Sequence, residues 1–104
     1  MLTVDGAFER IGSALQQKGY VFAAEEKSPD SSGDRLAIYT SPEMSARVSW
    51  KGSARMLVLE VDADGGWVEF ARRSFGPKGL EETTVDALVR AVGNEVAETS
   101  TDSD

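Results

Sequence analysis

Two glycine-containing turns do most to limit what this chain can fold into. Gly52-Ser53 and Asp64-Gly65 divide residues 45–75 into three apolar-rich segments of strand length. Gly-Ser suits a tight type II′ turn, and Asp-Gly is a strong hairpin signal, because Gly adopts the required backbone without steric cost. A two-residue turn at Gly52-Ser53 pairs Trp50 with Arg55, Val48 with Leu57 and Ala46 with Leu59. The turn at Asp64-Gly65 pairs Val61 with Val68 and Leu59 with Phe70. Both turns put Leu57, Leu59 and Val61 on one face, and that agreement predicts an antiparallel meander.

Amphipathic helices flank the strands. Val4, Phe8, Ile11 and Leu15 recur at helical spacing, with Thr3 or Asp5 to cap the start and Lys18-Gly19 to end it. Val85, Leu88, Val89, Val92 and Val96 form a second stripe, with Thr83 as its expected cap. Between the first helix and the hairpins, YVFAAEEK and RLAIYT read as strands, separated by the turn-forming loop SPDSSGD. The turn SPEM follows RLAIYT. YVFAAEEK is free to pair with RLAIYT or to join the opposite edge. The expected fold is α+β: a two-layer domain with an antiparallel meander sheet of four to five strands and an N-terminal and a C-terminal helix packed on one face. It spans 1–98, and 99–104 reads as a disordered acidic tail.

Alternation then assigns the two sheet faces. The helix-covered face takes Leu36, Ile38, Val48, Leu57, Leu59, Val61, Val68 and Phe70. The second face takes Tyr39, Met56, Val58, Trp67, Ala71 and Phe75, mixed with Arg47, Lys51 and Arg73. A solvated face is usually polar, so a half-apolar one suggests a docking surface, unless the end of the last helix folds across it. Tyr39, Met56, Trp67, Arg73 and Phe75 are its expected partner-binding residues. The neighbouring Arg72 falls on the helix side in this register, near Arg55 and Trp50. The plain expectation there is an arginine over an indole, and the sharper one is an anion pocket of Trp50, Arg55 and Arg72.

Composition narrows the chemistry. The 104 residues carry a net charge of -7, which disfavours nucleic acid and anionic lipid and favours a basic partner. The absence of His removes the commonest neutral-pH base, and the absence of Cys removes thiol chemistry and disulfides. DADGG lacks the spacing of a calcium loop, and Glu25, Glu26, Asp30 and Asp34 read as solvated carboxylates. FGPKG precedes a helix whose start already holds Glu81 and Glu82, which leaves little room for a phosphate. No serine has a visible base. No cofactor, metal or catalytic set is expected. The lack of Cys, of a leader and of a long apolar run points to the cytoplasm. The functional expectation is a small acidic protein-interaction domain: an adaptor, an immunity-type inhibitor or a chaperone-like binder, joined to another protein or to itself. The alternative is a small anionic-ligand binder or minimal enzyme at the Trp/Arg cleft.

Overall fold

The computed structural model describes residues 2–27, 33–63, 65–77 and 79–101, with 63 and 94–101 described by backbone only. The order is α1 (Val4–Gln17), β1 (Val21–Lys27), β2 (Arg35–Thr40), β3 (Ser45–Lys51), β4 (Met56–Ala63), β5 (Gly66–Ser74) and α2 (Glu82–Thr101). The strands form one antiparallel meander in the order β1-β2-β3-β4-β5, which places β1 beside β2 at an edge. Most of the SPDSSGD loop lies outside the described residues. α2 runs through Thr101, and 102–104 lie outside them too.

Local chemistry sets the ends of α1. The Thr3 hydroxyl accepts a bond from the Gly6 N–H at 3.0 Å, satisfying one of the free donors of the first turn. At the other end Gly19 has φ +94°, and the N–H groups of Gly19 and Tyr20 donate to the carbonyls of Gln16 and Leu15. This is a Schellman ending, and it directs Tyr20 into the core beside Leu15. α2 starts earlier than its expected Thr83 cap: the N–H groups of Thr84 and Val85 donate to the Glu81 carbonyl, so Thr83 lies within the first turn. Before α2, Leu2 donates its N–H to the Leu80 carbonyl at 3.0 Å, which ties the N-terminus to the segment entering α2.

The core lies between the helices and one sheet face. Phe8, Ile11 and Leu15 of α1 and Val85, Leu88 and Val92 of α2 meet Ala37, Tyr39, Ala46, Val48, Trp50, Leu57, Leu59 and Phe75. α1 packs on α2 and reaches β1 to β3, while α2 reaches β5. Arg10 bridges the helices to Asp86 at 3.1 Å and Glu82 at 3.5 Å, an exposed arrangement that contributes little.

Three registers differ from the sequence expectation. The β3–β4 turn spans Gly52 to Arg55, with Lys51 opposite Met56, Trp50 opposite Leu57 and Val48 opposite Leu59. Arg55 closes it at φ +50°, and its carbonyl accepts the Phe75 N–H at 2.8 Å. The pairing therefore slides by two residues. An even slide keeps every face, so Val48, Leu57 and Leu59 stay in the core. This register also sets Trp50 against an apolar Leu57 rather than a charged Arg55.

The second difference inverts β2. Tyr39 pairs with Ala46 and Ala37 with Val48, so Ala37 and Tyr39 face the helices while Leu36 and Ile38 face away. Room for the tyrosine comes from Gly12 of α1: a Cβ there would sit 3.0 Å from the Tyr39 Cζ and closer still to its hydroxyl.

The third is a β-bulge. Glu60 pairs with Glu69 and Leu59 with Ala71, which leaves Phe70 as an extra residue in β5. Beyond it the faces exchange. Arg72 lies opposite Val58 on the outer face and Arg73 opposite Leu57 on the helix side, the reverse of the expectation. Ala71 and Phe75 turn inward. A second register shift, at Ala23 in β1, means that both edge strands carry a bulge. Bulges and charged edge residues discourage edge-to-edge pairing.

Tyr20 and Tyr39 are 4% and 8% exposed. Burial pushes both phenols above their ordinary value near 10. At Tyr20 a hydrogen bond with Ser41 opposes this and Glu43 adds to it, and at Tyr39 Glu25 adds and Arg35 opposes. Folding thus favours the protonated phenols. Once pH exceeds about 10 the unfolded chain binds fewer protons than the folded one, and stability falls as pH rises. Tyr39→Phe is expected to flatten that fall in urea titrations between about pH 9 and about pH 11. Wild type and variant losing stability in parallel would refute it.

Candidate functional site: the uncovered sheet face

The helices leave the outer sheet face without cover among the described residues. None of its apolar side chains belongs to the core cluster, and even Val58, 7% exposed, lies outside it. The cross-strand registers arrange the face in rows. One row runs Leu36, Ser49, Val58, Arg72, and the next runs Ile38, Arg47, Glu60, Glu69. Trp67 stands opposite Asp62 at one end, and Met56 lies between Lys51 and Ser74 at the other. Leu36, Ile38, Met56 and Trp67 are half-buried.

Arginines link the residues of this surface. Arg47 donates from Nε to Glu60 at 2.8 Å, and its guanidinium lies 4.3 Å from the Trp67 ring. The pair is only 25% and 18% exposed, so the cation–π contact contributes about 1–2 kcal/mol in this partly dry setting. Arg72 donates to Glu69 at 2.7 Å and reaches the Met56 sulfur at 3.9 Å, alongside Val58. Charge on the face is thus largely paired within the chain, and what remains is a half-apolar platform with aromatic and thioether ends.

The five residues expected to bind a partner do not share this face. Met56 and Trp67 do. Tyr39 and Phe75 are core residues, 8% exposed each, and Phe75 packs 6.2 Å from the Trp50 ring. Arg73 is on the helix side, exposed, donating to the Arg72 carbonyl at 2.6 Å. Leu36, Ile38 and Arg72 take the vacated positions. Their signal was in the sequence as apolar and basic residues of the opposite parity, but alternation alone gave no means of choosing between parities.

The expected anion trio is divided by the sheet. Trp50 is buried, with the Arg55 guanidinium 5.8 Å from its ring, and the Arg55 Nε is engaged with the Gly76 carbonyl at 2.8 Å. Arg72 is on the other side. A cleft of about 360 Å³ does open at the Trp50 end of β2 and β3, where Lys27, Arg35, Arg47 and Lys51 stand among Glu26 and Asp34. Asp34 accepts the Gly52 N–H at 2.7 Å. Arg35 is already paired with Glu25 and Asp5 and Arg47 with Glu60, which leaves Lys27 and Lys51 against Glu26 and Asp34, so the cleft has no strong preference for an anion.

A second cleft, about 240 Å³, lies between α1 and β1. Its basic residue, Arg35, is 16% exposed, stacks 4.5 Å over Phe8 and pairs with Glu25 and Asp5. Burial alone would lower the Arg35 pKa, and the bonds to Glu25 and Asp5 outweigh it and hold it above its ordinary value. Tyr39 borders this cleft with its phenol pushed upward, which leaves it protonated at neutral pH and unsuited to act as a base. Among the described residues no group of three or more carboxylates is placed to hold a metal, and no helix is long and apolar enough to cross a membrane. No protein family, curated protein or solved structure gives a significant match to this chain.

Proposed function

We propose that this chain is a small acidic, cytoplasmic protein-interaction domain whose contact surface is the uncovered sheet face. One observation carries the reading: both helices pack on the same side, and the opposite side keeps Leu36, Ile38, Met56 and Trp67 half-buried in solvent. A half-apolar surface framed by arginines, with aromatic and thioether ends, suits a docking face. The ion pairs Arg47–Glu60 and Arg72–Glu69 support it, because charges already partnered in the free domain need no new partner on binding. The cleft at the Trp50 end is a weaker basis for function, since its arginines are already paired and its lysines stand against Glu26 and Asp34.

The test uses Ile38, near the middle of the face and outside the core cluster. Ile38→Asp is expected to leave circular dichroism unchanged and to weaken capture of the wild-type chain's partner at least about tenfold. Capture that survives Ile38→Asp but is lost on changing exposed helix residues would move the interface to the other side and end this reading.

A further inference from the structure

We propose that a second copy of this chain covers the uncovered sheet face, docked about a two-fold axis that lies in the interface and runs perpendicular to the strands. This inference rests on reading that face as an interaction surface, and it names the partner.

Charge is the first argument. The chain as a whole carries -7. The outer sheet face, by contrast, holds both signs in near balance, with Arg47, Lys51 and Arg72 against Glu26, Glu60, Asp62 and Glu69. A second copy meets the least repulsion there.

The register then selects the axis. β3 is the central strand. An axis parallel to the strands and centred on β3 would set Arg47 and Lys51 each against an identical cation, and one between β3 and β4 would set Leu36 against Arg72 and Ile38 against Glu69 of the second copy. An axis perpendicular to the strands instead exchanges strand ends, so the two middle rows lie over one another. Leu36 then meets the counterpart of Ile38, and Arg72 meets the counterpart of Glu69, each contact occurring twice as two-fold symmetry requires. Glu60 lies over Val58 in this arrangement but remains neutralised by Arg47. Face-to-face sheets pack about 10 Å apart with strands within about 30° of alignment, which these side chains can span.

Area gives the expected strength. Five strands spaced about 4.8 Å apart, each of about seven residues rising about 3.3 Å, present about 500 Å² per copy. The pair buries about 1,000 Å², the lower end for specific association. The dimer is therefore weak and concentration-dependent.

The experiment measures mass by light scattering and sedimentation on the full chain, from micromolar to millimolar concentration. Wild type, Arg72→Glu, Glu69→Arg and an equal mixture of the two variants are compared. Both side chains are exposed enough, at 58% and 35%, for the fold to tolerate the change, and thermal melts check this. Wild type is expected to approach double its monomer mass as concentration rises. Each variant alone faces like charges across the axis and is expected to stay monomeric where the wild type associates. The mixture restores both opposite-charge contacts and is expected to associate again. Wild type that stays monomeric throughout, variants that associate as the wild type does, or a mixture that stays monomeric would each overturn the proposal. The Ile38→Asp test separates the two readings: a monomeric wild type that still loses a different protein through Ile38→Asp overturns the second copy alone.

Discussion

Gly12→Ala is expected to destabilise the domain by about 1–3 kcal/mol, although Ala is the better helix former by about 1 kcal/mol. Gly12 lies inside α1 and is fully packed. A methyl group there would meet the Tyr39 ring at 3.0 Å at Cζ and more closely at the hydroxyl. Tyr39 cannot retreat easily, because Phe22 contacts it edge-on at a centroid distance of 5.6 Å and Ala46 pairs with it on β3. α1 must therefore lift or the ring must leave its rotamer. The melting temperature is expected to fall by on the order of 10 °C. Tyr39→Phe in the same chain removes the atom in closest conflict. The double variant is then expected to be more stable than the sum of the two changes by at least about 0.5 kcal/mol. A Gly12→Ala variant that melts higher than the wild type would show that Tyr39 does not pack against α1, and the face assignment of β2 would fail with it.

That close approach also explains why β2 was not legible in the sequence. Leu36 and Ile38 alternate with Ala37 and Tyr39, and either pair is apolar enough for a core. Alternation gives the period of a strand but not which set faces inward. The choice depends on a glycine on a different element, distant in sequence, that makes room for an aromatic ring. The helices, their faces, the strand order from β2 onward and the meander were all readable, because each rests on local periodicity or turn chemistry. The slide of two residues at Gly52–Arg55 was not, since it depends on Arg55 adopting a left-handed backbone beside Phe75. It cost nothing in face assignment. The bulge at Phe70 carries no Gly or Pro to announce it, and it exchanged Arg72 with Arg73. For the candidate face, Met56, Val58, Trp67, Arg47 and Lys51 were therefore readable, whereas Leu36, Ile38 and Arg72 depended on those two hidden changes of parity.

Phe75→Ala tests the bulge directly and is expected to cost about 3–5 kcal/mol. Without the bulge, Leu59 would pair with Phe70 and Phe75 would face solvent on the outer side, where truncation would cost within about 0.5 kcal/mol. With it, Phe75 is 8% exposed, packs 6.2 Å from the Trp50 ring and donates its N–H to the Arg55 carbonyl. Removing the ring leaves a cavity against Trp50 that the four-residue turn, fixed by Arg55, cannot readily close. A domain of this size has a total stability of about 5–15 kcal/mol, so the loss is a large share of it and can be read in urea titrations. Val68→Ala is the control: Val68 lies on β5, which Phe75 directly follows, and on the same side but is 52% exposed, and its truncation is expected to be nearly silent. Tryptophan emission adds a second readout in a Trp67→Phe background, where only Trp50 reports. Its emission is expected to shift to the red as the Phe75 cavity admits water. A cheap Phe75→Ala with unshifted emission would mean that β5 pairs without the bulge, that Arg73 rather than Arg72 belongs to the outer face, and that the charge contacts argued for a second copy must be redrawn.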